Sequence, residues 1–357
     1  AMMVERRANN KFLTRPELAI LLSYCKMYLK QDILKTQVPE DPYFNKYLLT
    51  AFPKPLIEQF LPQLEQHSLR REIVATQLCK SVVDKMGIGF IERLQRETGA
   101  STSVIIRAYT IAESIFDMEN IWKEIILLDN KVPADIQYGM MLQLSYLVRR
   151  STRWFIRNKK ANIDIQHTID AFKPALNAIK QQLFELLDDS GREVLETAHH
   201  YLMDKGVPDN LAFNVAACNT LFNVLDIIEA AHKYDLDLAD TAKTYYQLGN
   251  KLELNLIREL MNSSNIIDQW DELARSGFRD DLDRVQRKLS ARVLTMRVKD
   301  NNKVGTIDTR IDTWIKRHEF LIERWRKLLT DVKSTDPVGF VTFSVILREL
   351  FDFAQAS

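Results

Sequence analysis

Leu13-Thr14-Arg15-Pro16-Glu17-Leu18-Ala19 reads as the start of a helix. Thr14 can cap the free N–H of Glu17, whose carboxylate reaches back, and Pro16 sits in the first turn, where its missing N–H costs nothing. Further along, apolar residues keep returning at spacings of three and four. From Leu69 the pattern runs Ile73, Val74, Leu78, Val82 and Val83, with Arg70, Arg71, Glu72, Lys80 and Lys85 on other faces. Gly87 and Gly89 interrupt it. A helix from Phe90 to Arg96 then ends at Thr98-Gly99, and Ser101 caps the next, which carries Val104, Ile105, Ala108, Ile111 and Ala112. So short a glycine-bearing turn marks an αα-corner.

The same period fills most of the 357 residues, with only ten glycines and ten prolines to break it and almost no strand-like alternation. The expectation is an all-α protein, a multi-helix array. Polar breaks suggest residues 1–12 as an added remnant or linker and a first helical module over 13–160. A second module would span 161–299, followed by a linker at 300–310 and a C-terminal helical pair over 311–357, about Ile311 to Leu329 and Val338 to Phe353. A weak internal echo supports two stacked modules: Phe90-Ile91-Glu92 with Ala108-Tyr109 lines up with Ile227-Ile228-Glu229 and Tyr245-Tyr246.

Bulk properties narrow the function classes. With 46% hydrophobic residues, 27% charged and a net charge of +1, nothing global calls for nucleic acid or an anionic membrane. No apolar run approaches the roughly 20 residues of a spanning helix. Cys25, Cys79 and Cys218 are far apart in apolar helical patterns, which reads as reduced core thiols in a cytoplasmic protein.

Chemical motifs are weak. Gly87-x-Gly89-x-x-Glu92 lacks both the third glycine and the preceding strand of a dinucleotide site. No phosphate loop and no nucleophile elbow occurs. Glu196/His199 and Glu229/His232 have the spacing of carboxylate-bridged metal ligands, but a second pair of inward glutamates is missing. The strongest charge feature is Arg149-Arg150-Ser151-Thr152-Arg153-Trp154-Phe155-Ile156-Arg157-Asn158-Lys159-Lys160. It reads as an amphipathic helix burying Trp154 and Phe155, with a domain contact or a nucleic-acid grip as alternatives.

Several segments together resemble the region after the catalytic domain of the large bacterial NAD-specific glutamate dehydrogenases. They are the opening stretch with Leu21-Leu22-Ser23-Tyr24-Cys25-Lys26, then Leu69-Arg70-Arg71-Glu72, Glu97-Thr98-Gly99-Ala100-Ser101 and Arg107-Ala108-Tyr109. Leu128-Asp129-Asn130-Lys131-Val132-Pro133, Arg149-Arg150-Ser151-Thr152-Arg153-Trp154, Arg279-Asp280-Asp281-Leu282 with Gln286-Arg287, and Glu323-Arg324-Trp325-Arg326 follow in the family's order. The resemblance implies a non-catalytic helical C-terminal domain of an enzyme that deaminates L-glutamate to 2-oxoglutarate and ammonia while reducing NAD. It implies no catalytic, cofactor or metal residue in this segment, with NAD bound elsewhere in the parent. The expected partner is the catalytic domain of the same polypeptide, in a homo-oligomer, without nucleic acid or membrane. The candidate contact residues are Thr14, Arg15 and Glu17, with Arg149, Arg150 and Arg153. The rival reading is a free-standing helical interaction or nucleic-acid-binding protein using residues 149–160.

Overall fold

The computed structural model describes residues 13–159, 163–296, 306–335 and 339–356. The expected remnant at 1–12 lies outside the described residues, as do residues 300–305 of the expected linker. Among the described residues there are nineteen α-helices, two short 3₁₀ turns and no strand, so the chain is all-α.

In chain order the helices begin with α1 (Arg15–Leu34), α2 (Asn45–Leu49), α3 (Lys54–Glu65), α4 (Arg70–Met86), α5 (Phe90–Thr98) and α6 (Thr102–Ile115). Next come α7 (Met118–Ile126), α8 (Ala134–Asn158), α9 (Ile165–Gln181), α10 (Leu183–Leu186), α11 (Asp189–Asp204), α12 (Asp209–Ala216) and α13 (Cys218–Tyr234). The last six are α14 (Leu238–Lys251), α15 (Leu254–Ser263), α16 (Gln269–Thr295), α17 (Ile307–Arg317), α18 (Glu319–Lys333) and α19 (Phe340–Ala356). The chain forms two compact units. One contains Ala1–Glu119 and Leu142–Asp170, the other Asn120–Met141 and Ala171–Ser357.

In the first unit, α1 packs on α4 and buries Leu29 and Ile33. The Cys79 thiol donates to the Lys26 carbonyl at 3.1 Å across that seam. At the head of α4, Arg70 and Arg71 hold the connection that follows α1. Arg70 donates to the Pro39 carbonyl at 2.8 Å and Arg71 to the Leu34 carbonyl at 2.8 Å. Helix α3 is kinked at Phe60 (φ −128°, ψ 25°), because Pro62 has no N–H for the carbonyl four residues back. The corner after α5 turns on Gly99 in the left-handed region (φ 70°), and the Ser101 hydroxyl accepts from the Val104 N–H.

In the second unit, α13, α14, α15, α17 and α19 all contact α16. Leu282, Val285, Leu289 and Val293, spaced three and four apart on α16, enter one core with Trp314, Trp325, Phe343 and Phe353. The Trp325 indole N–H donates to the Leu252 carbonyl at 3.0 Å, so its one polar atom is satisfied inside that core. The stretch expected as one helix from Ile311 to Leu329 is two in the structure. His318 leaves helical geometry (φ −115°, ψ 26°), and the Trp314 carbonyl meets both its Nδ1 at 2.8 Å and its amide at 3.2 Å. No single helix among the described residues is long and apolar enough to cross a membrane. Helices α12 and α13 pass such a test only together, bent by 60°, and most of α13 is buried.

Candidate functional site

The six residues singled out from the sequence fall at two places in the first unit. At the head of α1, the Glu17 carboxylate accepts from the Thr14 amide at 2.7 Å and from the Thr14 hydroxyl at 2.8 Å. Glu17 is buried, whereas Thr14 and Arg15 are exposed. The carboxylate therefore fixes the direction in which the chain enters the helix.

The second place is the C-terminal half of α8. Arg149 and Arg150 are half-buried, with their guanidinium carbons 5.1 and 5.7 Å from the centre of the Tyr146 ring. Arg153 turns inward and pairs with Glu97 at 2.5 Å. The same carboxylate receives Arg93 at 3.4 Å, and Arg157 donates to the Glu97 carbonyl at 3.3 Å. Trp154 and Phe155 are buried and meet edge to face at 5.1 Å, as the amphipathic reading of this helix anticipates. Ser151 and Thr152 are fully buried beside them, and the Thr152 hydroxyl donates back to the Val148 carbonyl at 2.7 Å.

A second carboxylate, unnoticed in the sequence, sits deep in this unit. Glu113 is 3% exposed and receives Lys85 at 2.6 Å, the Tyr109 hydroxyl at 3.1 Å and the Tyr47 hydroxyl at 3.4 Å. Burial first, and then this carboxylate, push the Tyr47 and Tyr109 phenols well above their ordinary value. Only the helical period around Ile111 and Ala112 hints at its burial; Tyr109 stands four residues back on the same helix, and Lys85 and Tyr47 come from other helices.

A groove of about 680 Å³ in the same unit is lined by Asp41, Tyr43, Arg107, Ile163, Asp164 and Gln166. Its polar groups are already paired, with one another or with neighbouring residues. Arg107 pairs with Asp41 at 2.7 Å, Tyr43 shares a 2.6 Å bond with Ser114, and Asp164 accepts from the His167 amide at 2.9 Å.

The motifs weighed for metal chemistry do not converge. His199 faces Asp209 at 2.9 Å, and His232 meets the Phe172 ring edge to face at 6.0 Å. Among the described residues no group of three or more His, Cys, Asp or Glu could hold a metal ion. Gly87 (φ 81°) ends α4 and receives no strand. Burial pushes the Cys79 thiol up to about 11 and the Cys218 thiol up to about 12, whereas Cys25 is only half-buried.

The second unit has its own buried ionic cluster. On α15, Arg258 donates to Asp283 at 2.7 Å and to the Gln286 carbonyl oxygen at 2.6 Å, and the Gln286 amide donates to the Tyr245 carbonyl at 2.9 Å. One helical position on, Arg287 donates to Asp226 at 2.8 Å.

The model of the family described as "Glutamate dehydrogenase, C-terminal" matches residues 10–352. The chain belongs to this family. It is 39% identical over 355 residues to the NAD-specific glutamate dehydrogenase of Halomonas elongata, covering 99% of this chain and 22% of that protein. The corresponding Pseudomonas aeruginosa protein is 38% identical with the same coverage. The Mycobacterium tuberculosis protein is 28% identical over 345 residues, 97% of this chain and 21% of its own length. This glutamate dehydrogenase C-terminal domain thus spans about a fifth of the length of the relatives it matches. Segments that carry the resemblance supply internal braces: Arg70, Arg71, Glu97, Arg107, Arg153, Gln286, Arg287 and Trp325 each bond to another element of their own unit.

Proposed function

We propose that the chain is the non-catalytic helical domain of an NAD-dependent glutamate dehydrogenase, one whose whole polypeptide converts L-glutamate, NAD and water to 2-oxoglutarate, ammonia and NADH. The domain packs on the catalytic domain of the same polypeptide and supports assembly or regulation of a cytoplasmic homo-oligomer. NAD belongs to the parent enzyme.

The observation that carries this reading is where the characteristic polar residues sit. Arg153, Glu97, Gln286 and Arg287 hold helices to one another with side-chain bonds inside their own units, which makes rigid scaffolding. Arg15 is exposed at the head of α1, and Arg149 and Arg150 are half-buried on α8, so these three are the proposed contact residues. Thr14, Glu17 and Arg153 position them.

The test is glutamate-dependent NADH formation by the full polypeptide, by a version cut just before Leu13, and by that version with this chain added back. Loss on cutting and recovery on addition support the reading. Full activity of the cut enzyme, with unchanged assembly, removes it. An Arg149→Glu/Arg150→Glu variant that assembles and turns over normally removes the basic helix from the contact.

A further inference from the structure

Helix α1 is apolar on two opposite faces. Leu29 and Ile33, with Cys25 one turn earlier, lie on the side that meets α4. On the other side run Ile20, Tyr24, Met27 and Tyr28, which are 50%, 65%, 59% and 73% exposed. At 3.6 residues per turn these four positions share an arc of roughly 100°. A surface helix of a folded domain ordinarily presents charges on that side; here the one charged residue on the arc, Glu17, is buried, and the four exposed positions carry none.

We infer that the Ile20–Tyr24–Met27–Tyr28 stripe is the seat on which the polypeptide preceding this domain in the longer enzyme docks, through an apolar surface of its own. The inference rests on the proposed place of the chain within a longer dehydrogenase. Three observations favour this occupant. The relatives carry some four-fifths of their length outside the matched segment. The family is defined as a C-terminal one, so that extra length arrives at this domain on the side of α1, the first helix among the described residues. The capping box of Thr14 and Glu17 fixes the start of α1, which presents the stripe in one orientation to the incoming chain. Large aromatics and methionine are also the side chains that interface centres favour.

The experiment is hydroxyl-radical footprinting of Tyr24, Met27 and Tyr28, natural targets of that reagent, in this chain alone and in the full polypeptide. The expected result is rapid oxidation in the chain alone and oxidation several-fold slower in the full polypeptide, independent of protein concentration. A Met27→Asp/Tyr28→Asp variant is then expected to leave the thermal unfolding of the isolated chain unchanged and to open the full polypeptide to protease near residue 13. Equal oxidation in both proteins overturns the docking seat, even where the cut enzyme still needs this chain for NADH formation. Protection that grows with concentration in the isolated chain also overturns it, since a second copy is then the occupant. Protection in the full polypeptide together with full activity of the cut enzyme keeps the seat and removes the functional reading.

Discussion

Arg153 and Glu97 stand 56 positions apart in sequence and 2.5 Å apart in space, with side chains only 7% and 10% exposed. The pair ties the corner after α5 to the far half of α8. Removing one partner of so buried a pair strands the other in a poor dielectric, which costs about 3–5 kcal/mol. Glu97→Ala is therefore expected to lower the urea midpoint of the chain sharply. Glu97→Ala/Arg153→Met is expected to unfold later than Glu97→Ala alone, because methionine needs no counter-charge there. If the double variant is the weaker of the two, the pair is not the brace described.

Gly249 and Gly139 separate two kinds of helical glycine. A Cβ on Gly249 would collide with the Gln286 side chain, which is locked between Arg258 and the Tyr245 carbonyl. A Cβ on Gly139 meets nothing within 4 Å. Gly139→Ala is expected to stabilise by about 0.5–1 kcal/mol through helix propensity. Gly249→Ala is expected to destabilise by about 1–3 kcal/mol as the Gln286 bonds are lost. Equilibrium unfolding of both variants decides; equal effects would mean that Gln286 moves aside freely.

Burial raises the phenols of Tyr43, Tyr47, Tyr109 and Tyr245 above the ordinary 10.0. Above pH 10 the folded chain then binds more protons than the unfolded one, so stability falls as pH rises. Below that value these groups contribute no pH dependence. Thermal midpoints are expected to be insensitive to these tyrosines up to about pH 10 and to decline beyond it. Phenolate absorbance should lag behind that of the urea-unfolded chain. Coincident titrations of the folded and unfolded chains would contradict this.

Thiol reactivity should follow a fixed order. Cys79 and Cys218, pushed up to about 11 and about 12 by burial, carry almost no thiolate at pH 8. A chromogenic disulfide is expected to modify half-buried Cys25 first and the other two only on unfolding. Two or three rapid equivalents in the native chain would show that α4 or α13 opens.

The all-α class was legible because local chemistry announces it. Thr14 with Glu17, Gly99 with Ser101, and the three-and-four spacing from Leu69 to Val83 all lie within a turn or two of what they specify. Local order could not announce the break at His318, which falls within an unbroken apolar pattern. Nor could spacing seat Glu97 against Arg153, or bring Lys85 and Tyr47 to Glu113, since such partnerships depend on which helix faces lie side by side. The outer stripe of α1 shows the same limit. Its apolar residues are plain in the sequence, but their exposure is a property of the packed molecule.

The interleaving of the two units sets an order of events while the chain is being made. Residues 120–141 emerge before 142–170, yet they belong with a unit whose remaining parts begin at Ala171. The first unit is complete once Asp170 is out, and the Arg153–Glu97 pair can close then. The 120–141 segment must wait for chain beyond Ala171, such as Gly206, which lies beside Lys131 and Val132. At roughly 5–20 residues per second that delay is on the order of ten seconds. Throughout it, Ile121, Trp122 and Ile125, all destined for burial, are open to chaperones and proteases.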